Sequence, residues 1–334
     1  MKILNTLLSV VLVSLFTGCG GSTPAPVKKK TPPPAWVNGV LPNNTSTKLY
    51  GLGHGKNRES AIKDALSDMV ATLGVSIESS FHSSEKFEHS YMATKTTNDI
   101  KSEVAKTKVN NYKVIKSYKV SYNEFAVMIE TDKVKFVEGL KSTLQTKKDS
   151  ITRKLQSVSG EDIVTRYNAK KRAAKEANSL LSTILMISEL DPSFDKKANL
   201  AFITQVEKAF VAESKKLKFY VSGDRKSTQF VLKVKNFLAK KGFTVVSKKQ
   251  GAVTVRMTTT ETRTKGSIPI AVLNLNISIK DGKNSIGGKS LIIKERFRSS
   301  AGVYKNAAIH FEQDIKEQGI NEVLGLNLDI DTND

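Results

Sequence analysis

The spacing of apolar residues along this chain alternates between runs, helical stripes and strand-like alternation, and the changes of period mark out its parts. After Lys2, an apolar run extends from Ile3 to Phe16, too short to cross a bilayer comfortably. From Gly20 to Pro34 the sequence GGSTPAPVKKKTPPP has too little apolar content to pack and enough proline to stay extended. Ordered sequence then begins at Pro34-Ala35-Trp36-Val37, with the only tryptophan, and a short strand is predicted over Lys48 to Gly53. Behind a cap at Asn57 or Ser60, Ala61, Ile62, Ala65, Leu66, Met69, Val70 and Leu73 form one helical stripe, with Lys63, Asp64, Ser67 and Asp68 on the opposite face. The polar stretch from Ser79 to Lys108 reads as a loop with a loosely packed helix. β-branched and aromatic residues over Tyr112–Val120 and Glu124–Glu130 predict a hairpin turning at Ser121-Tyr122-Asn123, followed by a helix capped by Asp132.

The middle of the chain is helical in pattern. Ile163, Tyr167, Ala174, Ala177, Leu181, Ile184 and Leu185 fall at helix spacing, and Asp191-Pro192 breaks the run before a second helix from Lys196 to Lys216. Lys170 and Lys171 interrupt the stripe, with stems long enough to cover apolar surface while the charges reach water. The last part is mixed again. A strand at Phe219-Tyr220-Val221 precedes a helix with Phe230, Val231, Val234, Phe237 and Leu238 on one face, and Gly242 ends that helix. Strands are then predicted at Phe243–Val246, Ala252–Met257, Ala271–Ile279 and Leu291–Phe297, with turn chemistry at Asp281-Gly282. A closing helix from Tyr304 to Gln318 would turn Ala307, Ile309, His310, Phe311 and Ile315 inward. The fold class expected is α+β, two small mixed layers joined by a helical segment. Its divisions are residues 1–18, a tether over 19–34, a first module over 35–145, a helical spacer over 146–216 and a second module over 217–330.

The start of the chain gives this organisation an address. A basic residue, a short apolar core and small residues are the pattern of a removable export signal. It ends in Leu15-Phe16-Thr17-Gly18-Cys19, and Cys19 is the only cysteine of the chain. A lone thiol in an exported protein forms neither an internal disulfide nor a cysteine metal cluster. The junction resembles that of bacterial lipoproteins, which implies diacylglycerol on the Cys19 sulfur, cleavage before it and acylation of the new amine. Two or more acyl chains hold a protein to a membrane stably, where one does not. Gly20 in place of an aspartate favours the outer membrane in that comparison, with the protein facing the periplasm. The tether would hold the first module up to roughly 45 Å from the lipid if extended. Lys28, Lys29 and Lys30 within it either lie against anionic headgroups or serve as solubilising charges.

The first module also resembles the outer-membrane lipoproteins typified by the LPP-twenty antigen and the flagellar protein FlgP. The resemblance is carried by Cys19, Pro34-Ala35-Trp36-Val37, Tyr50-Gly51-Leu52-Gly53 and the alanine-bearing helix from Glu59 to Leu73. It implies a structural envelope protein without catalysis, whose flagellar relatives assemble into rings or disks around the motor. This chain is about twice the length of the short members. The second module weakly resembles CsgG-like and TolB amino-terminal domains, with no diagnostic motif.

The net charge of +21, from 53 basic and 32 acidic residues, would ordinarily suggest nucleic acid. Export and the lack of RNA-binding aromatic signatures argue against it. The basic residues are spread along the chain, which reads as a solvated surface or as adhesion to an anionic envelope surface; Lys170-Lys171-Arg172 with Lys175 reads as solvated helix. Gly288-Lys289-Ser290 mimics the end of a phosphate-binding loop, but Lys283 stands where the first glycine is required and a strand follows instead of a helix. Gly51-Leu52-Gly53-His54-Gly55 lacks dinucleotide spacing and reads as a tight turn needing positive φ. His82 and His89 could share a helix face, without a third ligand nearby. No catalytic residues, cofactor or metal are expected. The function expected is a structural or assembly component of the envelope, extending to flagellar rings, with protein partners, self-assembly and the membrane as its contacts. The alternative is a module that holds peptidoglycan or lipopolysaccharide through its basic surface.

Overall fold

The computed structural model describes residues 32–83, 104, 107–264, 269–296 and 302–330. Separately from the unit that begins at Leu41, the described residues 32–40 belong to another. Within it, Ala35–Asn38 makes one 3-10 turn that ends at Gly39, whose φ of 94° is left-handed. The expected signal, most of the tether and most of the polar insert lie outside the described residues.

In the unit from Leu41 onward, a three-stranded antiparallel sheet comes first, in the order β1 (Lys48–Gly55), β3 (Glu124–Asp132), β2 (Tyr112–Ser121). Helix α1 (Arg58–Ser83) packs on it. Both residues considered as its cap are used. Asn57 Oδ1 accepts from the Ser60 backbone N–H at 2.8 Å, and Ser60 Oγ accepts from the Asn57 N–H at 3.1 Å, a reciprocal arrangement that satisfies two otherwise orphaned donors.

The glycines of β1 correct their reading as a turn. Gly51, Gly53 and Gly55 lie in the strand and leave room for the helix. A Cβ on Gly53 would sit 2.1 Å from the Ala65 nitrogen and 2.2 Å from the Ala61 oxygen, and one on Gly51 would sit 2.2 Å from the Ala65 oxygen. Small residues on both sides bring the two backbones into contact. That proximity also redirects two residues expected on the outer face of α1. Asp68 Oδ2 accepts from the Leu52 N–H at 3.0 Å and Asp64 Oδ2 from the His54 N–H at 2.8 Å, while Asn44 Oδ1 takes the Tyr50 N–H at 3.0 Å. Alternate donors on the free side of an edge strand are thereby closed to pairing with another chain.

Asp132 caps α2 (Lys133–Ser157), accepting from the Lys135 N–H at 3.0 Å. This helix runs past the boundary drawn at 145/146, because no glycine or proline falls between Leu140 and Ser157 and Leu144 and Ile151 continue its buried face. The stripe from Ile163 to Leu185 is two helices, α3 (Ile163–Asn178) and α4 (Leu181–Leu190), broken at Ser179-Leu180. Leu181, Ile184, Leu185, Met186, Ile187 and Leu190 are all buried, so α4 is apolar nearly all round and sits in the interior. After Asp191-Pro192, α5 (Lys196–Lys216) follows as its pattern predicts.

The second sheet has the order β5 (Thr244–Val245), β4 (Lys218–Gly223), β6 (Val253–Thr264), β7 (Ile270–Asp281), β8 (Asn284–Arg296). β4 is parallel to both its neighbours and the other pairs are antiparallel. Helices α6 (Thr228–Lys240), α7 (Val303–Gln318) and the short α8 (Ile320–Leu324) bury apolar residues in the core of this sheet. In α7, Ala307, Phe311 and Ile315 are buried, whereas Ile309 and His310, expected inside, face outward. Adjacent helical positions point about 100° apart, so 309 to 311 could not all face one core.

Two hydrophobic clusters result, and α3 belongs to both. Val164 and Tyr167 join the core of the second sheet, whereas Ala173, Ala174 and Ala177 join that of the first. Most of the buried apolar residues in the helical stretch read as a spacer belong to the first core, Ile184, Ile187 and Ile203 among them.

The seam between β1 and α1 makes a measurable contrast. Gly53→Ala should lower stability by about 3 kcal/mol through overpacking against backbone. Gly139→Ala, with nothing within 4 Å of its Cβ position in the interior of α2, should raise it by about 0.5–1 kcal/mol. Urea unfolding midpoints moving in opposite directions would confirm the seam; equal midpoints would refute it.

Candidate functional site

Cys19, the residue to which lipid attachment is assigned, lies outside the described residues, as does His89. His82 is in α1 by backbone. His54 Nδ1 is 3.7 Å from Glu124 Oε1, and His310 Nδ1 is 2.6 Å from Glu295 Oε1, a carboxylate that is almost fully buried. Among the described residues no three His, Cys, Asp or Glu are grouped to hold a metal ion.

The segment that mimics a phosphate loop is part of β8. The hairpin turns at Gly282, φ 59°, and Gly287 and Gly288 serve a different purpose. The Gly288 N–H donates to the Gly325 oxygen at 3.1 Å, and a Cβ on Gly287 would lie 2.3 Å from that same oxygen. The glycines let the segment after α8 approach the strand. Lys289 Nζ is 2.5 Å from Glu322 Oε1, and Ser290 Oγ donates to Asn276 Oδ1 at 2.7 Å.

The basic cluster on α3, expected as solvated surface, is largely engaged. Arg166 Nε donates to Glu213 Oε1 at 2.8 Å and Lys170 Nζ to Glu213 Oε2 at 2.5 Å, joining α3 to α5 around a carboxylate whose side chain is only 2 % exposed. Lys171 Nζ donates to the Asp329 backbone oxygen at 3.0 Å and Arg172 Nε to Asp329 Oδ2 at 3.0 Å. Buried Asn168 completes this clasp: its Nδ2 donates to the Asn327 oxygen at 2.6 Å and its Oδ1 accepts from the Asp329 N–H at 2.7 Å. The gap in the apolar stripe is therefore an ionic and hydrogen-bonded contact, formed with residues about 40 and 160 positions away. The hairpin turn contributes too, since Asp281 Oδ2 accepts the Ile163 N–H at 2.9 Å beside the Asp162 cap of α3.

The outer face of the second sheet is different in character. Val253, Val255, Met257 and Thr259 of β6 and Ala271, Leu273, Leu275, Ile277 and Ile279 of β7 point into the core. Intervening positions form cross-strand rows: Arg256 beside Ser278, Thr258 beside Asn276 and Ser290, Thr260 beside Asn274 and Ile292, Val272 beside Lys294. Lys218 on β4, Arg256, Lys280, Lys294 and Arg296 lie on this side, exposed and without an ion-pair partner among the described residues. None of the outward positions on β4, β6, β7 or β8 is a carboxylate. Glu261 and Glu295 alternate to the other side, as does Asp281.

Burial pushes the Glu213 carboxyl up, but hydrogen bonds and charge from Lys170 and Arg166 outweigh it and hold it below its ordinary value of 4.5. A depressed carboxylate contributes stability that is present above the ordinary value and lost as pH falls through the folded one. Glu213→Gln should therefore cost roughly 2–4 kcal/mol at neutral pH, since removing one partner strands the others. The variant should also lose less stability than the parent on acidification below about pH 4.5. Denaturant melts at pH 7 and pH 3 would check both; an unchanged difference between parent and variant would refute the lock.

Comparison with known proteins adds an independent line. Residues 34–132, the three strands and α1 with their preceding turn, match the family model "LPP20 lipoprotein". Among solved structures, the secreted protein HP1454 of Helicobacter pylori aligns over 82 % of this chain and 98 % of its own, at 13 % identity and TM-score 0.47. A minor lipoprotein from Acinetobacter baumannii aligns over 30 % of this chain and 93 % of its own, at 15 % identity and TM-score 0.23. No curated protein matches the sequence. The family match makes the first module, under a third of the chain, of the LPP20 lipoprotein type.

Proposed function

We propose that this protein is a non-catalytic structural or assembly component of the envelope, held to the outer membrane by Cys19 and working by contact on the periplasmic side. The family match over residues 34–132 carries this reading. The arrangement of polar groups supports it. Asp64 and Asp68 close a strand edge, and Glu213 and Asn168 hold helices and the terminal segment. These groups, buried or part-buried apart from exposed Asp64, serve the architecture. The flagellar form of the reading, with ring or disk assembly, rests on the resemblance of the first module alone.

A second reading, a module that holds an anionic envelope polymer, is favoured by the uncompensated cations on the outer face of the second sheet.

Cys19→Ala should move the protein from the membrane fraction to the soluble fraction, and unchanged fractionation would refute lipid as the anchor. A deletion strain that still makes filaments should lose motility if the flagellar form holds; normal swimming would remove it and leave the envelope role to be read from cryotomograms of the same strain.

A further inference from the structure

Around α3, α7 and α8 several basic residues meet carboxylates: Lys170 and Arg166 meet Glu213, Lys233 meets Glu312 at 2.5 Å, and Lys289 meets Glu322. On the outer face of the second sheet, Arg256, Lys280 and Lys294 have no such partner among the described residues and stand on a surface without acidic side chains. Arg256 and Lys280 are diagonal neighbours across β6 and β7, and Lys294 lies about 20 Å further along the sheet. With no carboxylate among them, the arrangement favours an extended anion supplied from outside.

The groups between these cations define the chemistry of that anion. Thr258, Thr260, Asn274, Asn276, Ser278 and Ser290 project from adjacent strands. Strand spacing of about 4.8 Å and a same-face repeat of about 7 Å turn them into a nearly planar grid of hydroxyls and amides that donate and accept alike. Such a grid matches a ligand rich in hydroxyl and acetamido groups. Ile292, 67 % exposed, and Tyr220 offer apolar surface to the C–H faces of sugar rings. Tyr220 is the single aromatic among the outward residues of these strands, so nucleobases would lack the stacking platforms that single-stranded nucleic acid requires.

We infer that the outer face of β6, β7 and β8 binds a carboxylated glycan, laid across the strands with its carboxylates on Arg256, Lys280 and Lys294 and its hydroxyls on the Thr, Asn and Ser rows. This rests on the second reading above and gives it a surface and a ligand class. The probe is purified peptidoglycan, with cellulose as a neutral glycan and single-stranded RNA as the competing polyanion.

The full mature chain in a neutral detergent is sedimented with each polymer at low salt. Two triple variants are compared: Arg256→Glu/Lys280→Glu/Lys294→Glu on the sheet face, and Lys197→Glu/Lys208→Glu/Lys215→Glu on exposed positions of α5, which changes net charge by the same amount. Retention on peptidoglycan should fall at least about tenfold in the first and stay within about twofold in the second. Thr258→Val/Asn276→Ala, which keeps every charge, should weaken retention in the same direction. If the sheet-face variant shifts the urea midpoint, Arg256→Gln/Lys280→Gln/Lys294→Gln takes its place. Equal losses in the two triple variants would overturn the assigned face while leaving envelope binding intact. Absence of any retention by the parent would overturn both. Binding to RNA as tight as to peptidoglycan would overturn the glycan class, and equal binding to cellulose would overturn the role of the cations.

Discussion

The structure depends on α3 being shared. Its first two turns insert Val164 and Tyr167 into the core of the second sheet, and its last two turns place Ala173, Ala174 and Ala177 in the core of the first. A single rigid helix cannot shift in one core without disturbing the other, so the two sheets are coupled mechanically through sixteen residues of backbone. Glu213 fixes where α5 lies along it, Asp281 and Asp162 satisfy its amino-terminal donors, and Asn168 with Arg172 clasps the terminal segment to its side. Tyr167 extends the coupling through a tilted ring contact to Phe210 of α5 and an edge contact to Phe243 before β5.

The first sheet shows the same economy in its use of polar groups. An edge strand with free donors invites pairing, and β1 is edge by topology. Gly51 and Gly53 against Ala61 and Ala65 bring α1 close enough for two short aspartates to reach those donors. Close packing and edge protection thus have one cause. A larger residue at Gly53 would separate the backbones and withdraw Asp64 and Asp68 together.

Charge takes on meaning only once the layers are assembled. Along the sequence the basic residues are spread over the whole chain, and the expectation of a diffuse solvated surface followed from that. Folding sorts them. Cations on α3 become internal ties, while the period of two along β6, β7 and β8 sends Glu261 and Glu295 to one side and Arg256 and Lys294 to the other. The outward side of this sheet is thereby left with cations and no carboxylate.

By itself, the sequence determined what local rules control. The hairpin, the Asp132 cap, the helix from Lys196 to Lys216, the turn at Asp281-Gly282 and the α+β class follow from period, capping and turn chemistry over a few residues, and the resemblance placed the first module in the family that its residues match. The lipid-attachment reading of Cys19 is likewise a property of the linear junction. Tertiary structure alone decided why Gly51 and Gly53 are glycines, where Lys170 and Lys171 send their charges, that α3 serves two cores, and which face of the second sheet is uniformly cationic. Each of these rests on a partner far away in sequence, Gly325 for Gly287, Glu213 for Lys170, Asp329 for Lys171. A spacing rule reads only near neighbours, so contacts of this range become visible when the chain has closed on itself.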